Sequence, residues 1–183
     1  MKMDDAVHML AARATYMQDV AGAGGMAAIV GLSKDEIDQC MVDAAGAGYA
    51  QISNHNARDQ FVISGHNEAL DAIVASARMR GARIAKRLNV SVPAHCALMS
   101  NAEKLLRARM EQIHFEAPQT NWYSNQTAQF MSNPRDVRDA LCNQMTHGVR
   151  WMEIMEMFQQ YNITRAYELG PGRTLAGLIK RAN

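Results

Sequence analysis

No charge of one sign dominates this sequence: 19 Lys and Arg are set against 18 Asp and Glu in 183 residues, a formal net charge of +1. With the two signs interspersed there is no electrostatic footprint for nucleic acid or an anionic membrane surface, and neither is expected as a partner. Cysteine is scarce. Cys40, Cys96 and Cys142 lie far apart, odd in number and without CxxC spacing, which excludes a disulfide framework and points to reduced thiols in a cytoplasmic protein. No apolar run approaches the roughly 20 residues that span a bilayer. The opening Met1-Lys2-Met3-Asp4-Asp5 has no hydrophobic signal core, which argues against secretion. The six histidines form no HExxH and no paired His/Cys spacing, so neither a metal nor another cofactor is expected. Gly22, Gly24 and Gly25 follow no strand and make no dinucleotide fingerprint. A GxSxG nucleophile elbow is missing throughout.

What is present is a chain with 48% apolar residues, enough for a real core without covalent staples. Its fourteen methionines suit irregular core gaps, because the unbranched thioether adapts its shape. Residues 4–18 place Val7, Leu10, Ala14 and Met17 at three- and four-residue spacing, which predicts an amphipathic helix. An alternation follows. Met26 to Leu32 reads as a buried strand, and Ser33 with Glu36 as a capping box opening a helix that ends by Gly46. Tyr49 to Ser53 and Gln60 to Ser64 read as strands around a polar turn, Asn54 to Asp59. Glu68 to Arg80 is helical in pattern, and Ala82 to Val90 is a fourth strand. The order β-α-β-β-α-β is the split, ferredoxin-like arrangement, a sheet with one face under two helices.

The remainder reads differently. Pro93 takes the chain out of the fourth strand into a loop. Helices are expected at 101–112, at 134–147 with Asn133 as cap and Pro134 in the first position, and at 150–160. Gln119 to Tyr123 and Ile163 to Leu169 are candidate strands; Gly170-Pro171-Gly172 is a tight turn before a last helix from Thr174 to Arg181. Two isolated strands cannot close a layer, so this part reads as half of an α/β domain. The expected fold class is α/β (α+β). Its parts are a helix of a large subdomain at 1–20, a ferredoxin-like small subdomain at 21–90 and the C-terminal part of the large subdomain at 91–183.

One loop is a candidate for chemistry. Ser91-Val92-Pro93-Ala94-His95-Cys96-Ala97-Leu98-Met99 fixes an imidazole beside a proline. Neighbouring side chains diverge, so Cys96 is not read as a partner of His95. The segment resembles the SVPSHxxLM block of the bacterial malonyl-CoA:acyl-carrier-protein transacylases. Other blocks resemble the same family in the same order: Arg13 to Gln18 its RGxxMQ, Gly25 to Leu32 its GAMAAIxGL, and Asn54-His55-Asn56 with Gln60 to Gly65 its NxNSPGQxVIxG. Ala140 to Trp151 is similar to its LxxQLxxPVxW, and Tyr167 to Leu178 to its YELGPGxxLxGL.

The resemblance implies an incomplete α/β-hydrolase-like acyltransferase domain carrying an inserted small subdomain. It also implies a mechanism. A serine takes malonyl from malonyl-CoA and passes it to the phosphopantetheine thiol of acyl carrier protein, in fatty-acid synthesis. His95 becomes general base and acid, Gln144 an active-site residue whose neighbourhood orients the histidine, Arg13 the partner of the malonyl carboxylate, and Asn56 a residue at the pocket mouth. Two departures stand out: Ala57-Arg58-Asp59 replaces SPG, and Arg13-Ala14 replaces RG. The family's GHSLG serine and glutamine loop have no counterpart, and in the family's order would precede Met1. The chain is therefore expected to be inactive alone, with the N-terminal portion of the same enzyme as a partner. An acyltransferase for polyketides or malonate decarboxylase, or a non-catalytic carrier-protein-binding module, are the alternatives.

Overall fold

In a computed structural model, which describes residues 1–170 and 172–182, the amphipathic opening forms α1 (Met3–Gln18). Next come β1 (Gly25–Val30), α2 (Lys34–Asp43), β2 (Ala50–Ala57), β3 (Gln60–Gly65), α3 (Asn67–Met79) and β4 (Ile84–Arg87). The four strands make one sheet in the order β2-β3-β1-β4, every neighbour antiparallel. Cross-strand partners such as Ala27 with Ile63 and Ile29 with Phe61 share a face. That face is buried with Ile37 and Cys40 of α2 and Leu70 and Ile73 of α3. Ser33 accepts from the Glu36 amide and Glu36 from the Ser33 amide, so the capping box read from sequence starts α2.

The second half supplies α4 (Ser100–Met110), β5 (Trp122–Tyr123), β6 (Phe130–Met131), α5 (Pro134–Asn143), α6 (Trp151–Gln160) and α7 (Thr174–Ala182). A second core forms here around Met9, Met99, Leu106, Met110, Cys142 and Met145. Methionine fills it, as its adaptable shape allows. Among the described residues no helix is long and apolar enough to cross a membrane.

The structure corrects several boundaries. The polar turn over 54–59 shrinks to Arg58-Asp59, because β2 carries its pairing with β3 through two irregularities as far as Ala57. The fourth strand is only Ile84–Arg87, the stretch with ladder partners in β1. Of Gln119 to Tyr123 only two residues pair, with a β6 that the sequence did not suggest. The helix over 134–147 stops at Asn143 because the following chain is drawn to the outer edge of β2. There the Val149 amide donates to Ser53 O at 2.8 Å and the His55 amide to Val149 O at 3.0 Å. Gly148 permits that approach; a Cβ on it would sit 2.8 Å from Ile52 O.

No strand forms over Ile163 to Leu169. Asn162 adopts a left-handed φ of 53°, and the Ile163 and Asn162 amides donate to Phe158 O and Gln159 O. These two bonds are a Schellman cap that ends α6. Beyond it the backbone finds no strand edge among the described residues, and Leu169 is 94% exposed. The Gly170-Pro171-Gly172 turn read from sequence includes Pro171, which lies outside the described residues.

Candidate active site

Alternation along a strand sends successive side chains to opposite faces. The face of the four-stranded sheet away from α2 and α3 carries polar residues at the β2–β3 end. Gln51 and Ser64 are paired there in register. Ser64 is fully buried and donates its hydroxyl to Ala94 O at 2.6 Å, while the Gln51 amide donates to His95 O at 3.3 Å. The loop leaving β4 is therefore tied down by donors on consecutive carbonyls. His95 itself has φ of 61°, a left-handed conformation that costs a non-glycine residue about 1–3 kcal/mol and persists only where its surroundings impose it.

The imidazole of His95 is turned to the end of α5. Its Nδ1 lies 2.6 Å from the backbone oxygen of Gln144, the residue that caps this helix. The last carbonyls of a helix have no partner within it and are available to outside donors. Since a carbonyl only accepts, Nδ1 must carry the proton. The neutral ring then presents its Nε2 lone pair outward, the arrangement a general base needs. Burial pushes the His95 pKa below its ordinary value of 6.5; the bond to Gln144 O pulls upward, and the charge of Arg13 adds to the lowering. The base is therefore neutral, and competent, at neutral pH.

Arg13 sits on α1 one turn from Met9 and one turn from Met17, on the helix face that packs into the second core. The solvated face available to an arginine on this helix lies elsewhere. Burial lowers the pKa of its guanidinium, and among the described residues no carboxylate pairs with it. A half-buried cation without a partner is poised for an anionic ligand, and a guanidinium can meet both oxygens of a carboxylate at once. Arg13→Met is expected to raise the His95 pKa, because it removes a positive charge that opposes protonation. An NMR pH titration of the His95 ring checks this, and an unchanged midpoint would place Arg13 out of electrostatic reach.

Arg13, His95 and Gln144 thus converge. Asn56 is buried in β2 beside the irregularity between His55 and Ala57. Cys96, next to His95 in sequence, is fully buried and donates its thiol to Pro93 O at 3.2 Å. Burial raises its pKa and that of Cys142, which is pushed up to about 11. Neither has the depressed pKa of a reactive thiolate. Sequence reasoning missed Gln51 and Ser64; their signal is the two-residue alternation that puts polar side chains on the face bearing the His95 loop. Among the described residues no group of three or more His, Cys, Asp or Glu could hold a metal ion.

Comparison with known proteins gives a consistent family. Residues 1–164 match the acyl transferase domain. The chain is 37% identical over 179 residues to the malonyl CoA-acyl carrier protein transacylase of Escherichia coli O157:H7, covering 97% of this chain and 58% of that protein. The solved malonyl CoA-acyl carrier protein transacylase of Coxiella burnetii superposes with a TM-score of 0.96 at 38% identity, covering 100% of this chain and 58% of that one. A malonyl-transacylase solved in complex with its type II polyketide acyl-carrier protein gives 0.92 at 34% identity, covering 97% and 58%. The chain thus spans little more than half the length of these relatives.

Proposed function

Since the chain belongs to the acyl transferase domain family, we propose that it forms the histidine-bearing portion of a malonyl-CoA:acyl-carrier-protein transacylase of fatty-acid synthesis. The observation that carries this reading is the His95 ring held through Nδ1 by Gln144 O at 2.6 Å, with neither a hydrogen-bond partner for Nε2 nor a carboxylate partner for Arg13 among the described residues. In this reading residues 21–90 are a ferredoxin-like small subdomain, while 1–20 and 91–183 belong to the larger α/β subdomain that holds the nucleophile. Asn56 lines the mouth of the pocket. The likeness to a polyketide-associated malonyl-transacylase supports a polyketide acyltransferase as the second reading, with the same chemistry.

The proposed reaction has two halves. A serine outside this sequence gives its proton to His95 Nε2 and attacks the malonyl thioester carbonyl. Collapse breaks the C–S bond, and the departing CoA thiolate takes the proton from the imidazolium. In the second half the carrier-protein thiol gives its proton to His95 and attacks the malonyl-serine ester; the serine oxygen leaves and is reprotonated. Gln144 O keeps the ring in one tautomer through both halves and, as an oriented dipole, stabilises the transient positive charge. Arg13 holds the malonyl carboxylate.

The 183-residue chain alone, incubated with malonyl-CoA, is therefore expected to carry no malonyl ester. Intact-protein mass spectrometry checks this. A general base without its nucleophile cannot form the acyl-enzyme, and the buried Cys96 thiol, hydrogen-bonded to Pro93 O, is no substitute. A stoichiometric malonyl adduct would move the nucleophile into this chain.

A further inference from the structure

The His95 ring depends on two separate segments: the loop after β4, which carries it, and the turn after α5, which supplies its acceptor. Gln51 is the side chain that touches both. Its Nε2 lies 3.3 Å from His95 O and 3.3 Å from Thr146 O, two residues beyond Gln144. Two carbonyls facing one end of an amide settle which end is nitrogen. The other end, Oε1, accepts from the Tyr49 hydroxyl, and that hydroxyl in turn accepts from the Ala97 amide at 3.4 Å. Tyr49 immediately precedes β2, two residues before Gln51, and its hydroxyl reaches the Gln51 amide. Ser64, the register partner of Gln51, secures Ala94 O. The sheet thus carries a short polar chain from Ala97 through Tyr49 and Gln51 to both halves of the histidine site.

We infer that Gln51, oriented by Tyr49, is a positioning residue that fixes the His95 loop against the α5 turn and thereby holds the imidazole in its Nδ1–H form. The inference rests on the proposed role of His95 as base but needs neither the nucleophile nor a substrate to be tested. Nothing else on the sheet spans the two segments in this way: Ser64 reaches only the first, and the Val149 pairing with β2 secures only the second. With Gln51 removed, a ring at a left-handed backbone position loses one of the bonds that impose that conformation, and its 2.6 Å bond to Gln144 O loosens.

The experiment is long-range ¹⁵N–¹H NMR of the histidine rings in the full 183-residue chain near neutral pH, with His95→Asn identifying the His95 signals by their loss. In the parent, the His95 nitrogen shifts should show the proton on Nδ1. Gln51→Met, similar in length but without a donor, should move them toward the Nε2–H form preferred by free imidazole. Tyr49→Phe, which leaves the amide in place but unoriented, should move them less and in the same direction. A retained Nδ1–H signature in a natively folded Gln51→Met would overturn the inference, and lower thermal stability without a tautomer change would count against it equally. If Gln51→Met does not fold, Tyr49→Phe decides: unchanged shifts overturn the inference. Failure of acyl transfer in an assembled enzyme, with the tautomer shift intact, would instead remove the proposed function and leave Gln51 as a determinant of ring geometry.

Discussion

Replacing His95 by alanine, in an enzyme assembled from this chain and the proposed serine-bearing portion, is expected to lower kcat/KM for malonyl transfer by about 10²–10⁴-fold. This is the usual contribution of a positioned general acid–base group. The geometry argues for a large effect. The ring is committed by its Nδ1 bond to Gln144 O, so Nε2 is its free face, and no second imidazole shares that acceptor among the described residues. The low basicity set first by burial and then by Arg13 has a pH consequence. A neutral base is the active form, so activity should fall as pH drops through a midpoint below 6.5 and stay level above it. The alanine variant should lose that acid limb along with its rate. A variant within a few-fold of the parent, with the acid limb intact, would remove His95 from the mechanism.

Part of this site was legible in the sequence because its residues are local. His95 stands in a contiguous run whose proline and flanking strand announce a fixed loop, and Asn133-Pro134 announces the helix that ends at its acceptor. Gln144 was legible only as a position. The group that works there is a backbone carbonyl, which every residue possesses, and it counts because α5 stops at Asn143. No side-chain pattern encodes that stop. It comes from Gly148 and Val149 being drawn onto the β2 edge, a contact between segments roughly ninety residues apart.

Gln51 and Ser64 were hidden for a related reason. Each is an ordinary polar residue in a strand, and only the register of β2 against β3 sets them side by side beneath the Ala94 and His95 carbonyls. Register is specified by the buried face, here Ile63 and Phe61 under α2 and α3, and the two-residue alternation then sets the polar face without saying which carbonyls lie above it. The overreading at Ile163 to Leu169 has the opposite origin. Apolar content and β-branching describe what a strand is made of, but a strand exists only where an edge is available to pair with. The Schellman cap satisfies the first amide of that stretch locally, and the described residues offer no edge for the rest.

The orientation of Arg13 sets the second large effect. Met9, Arg13 and Met17 follow one another at four-residue spacing, and both methionines pack in the second core. The guanidinium therefore projects from the inner side of α1, close enough to the His95 ring to depress its basicity. In the assembled enzyme, Arg13→Ala is expected to weaken malonyl transfer while sparing acetyl transfer, because malonyl-CoA carries a free carboxylate and acetyl-CoA does not. A hydrogen bond to a charged group contributes about 1.5–3 kcal/mol, which lowers the malonyl-to-acetyl ratio of kcat/KM by roughly 10- to 150-fold. The general effect of Arg13 on His95 must be kept apart from this ratio. Removing the arginine raises the His95 pKa, so below neutrality both thioesters lose rate together, and the comparison belongs at a pH where the ring is neutral in parent and variant alike. Arg13→Lys keeps the charge but not the two-pronged geometry, so the His95 pKa should stay low while the malonyl preference returns only in part. An unchanged ratio in Arg13→Ala, with the His95 midpoint raised, would show that Arg13 acts on the base and that another residue reads the carboxylate.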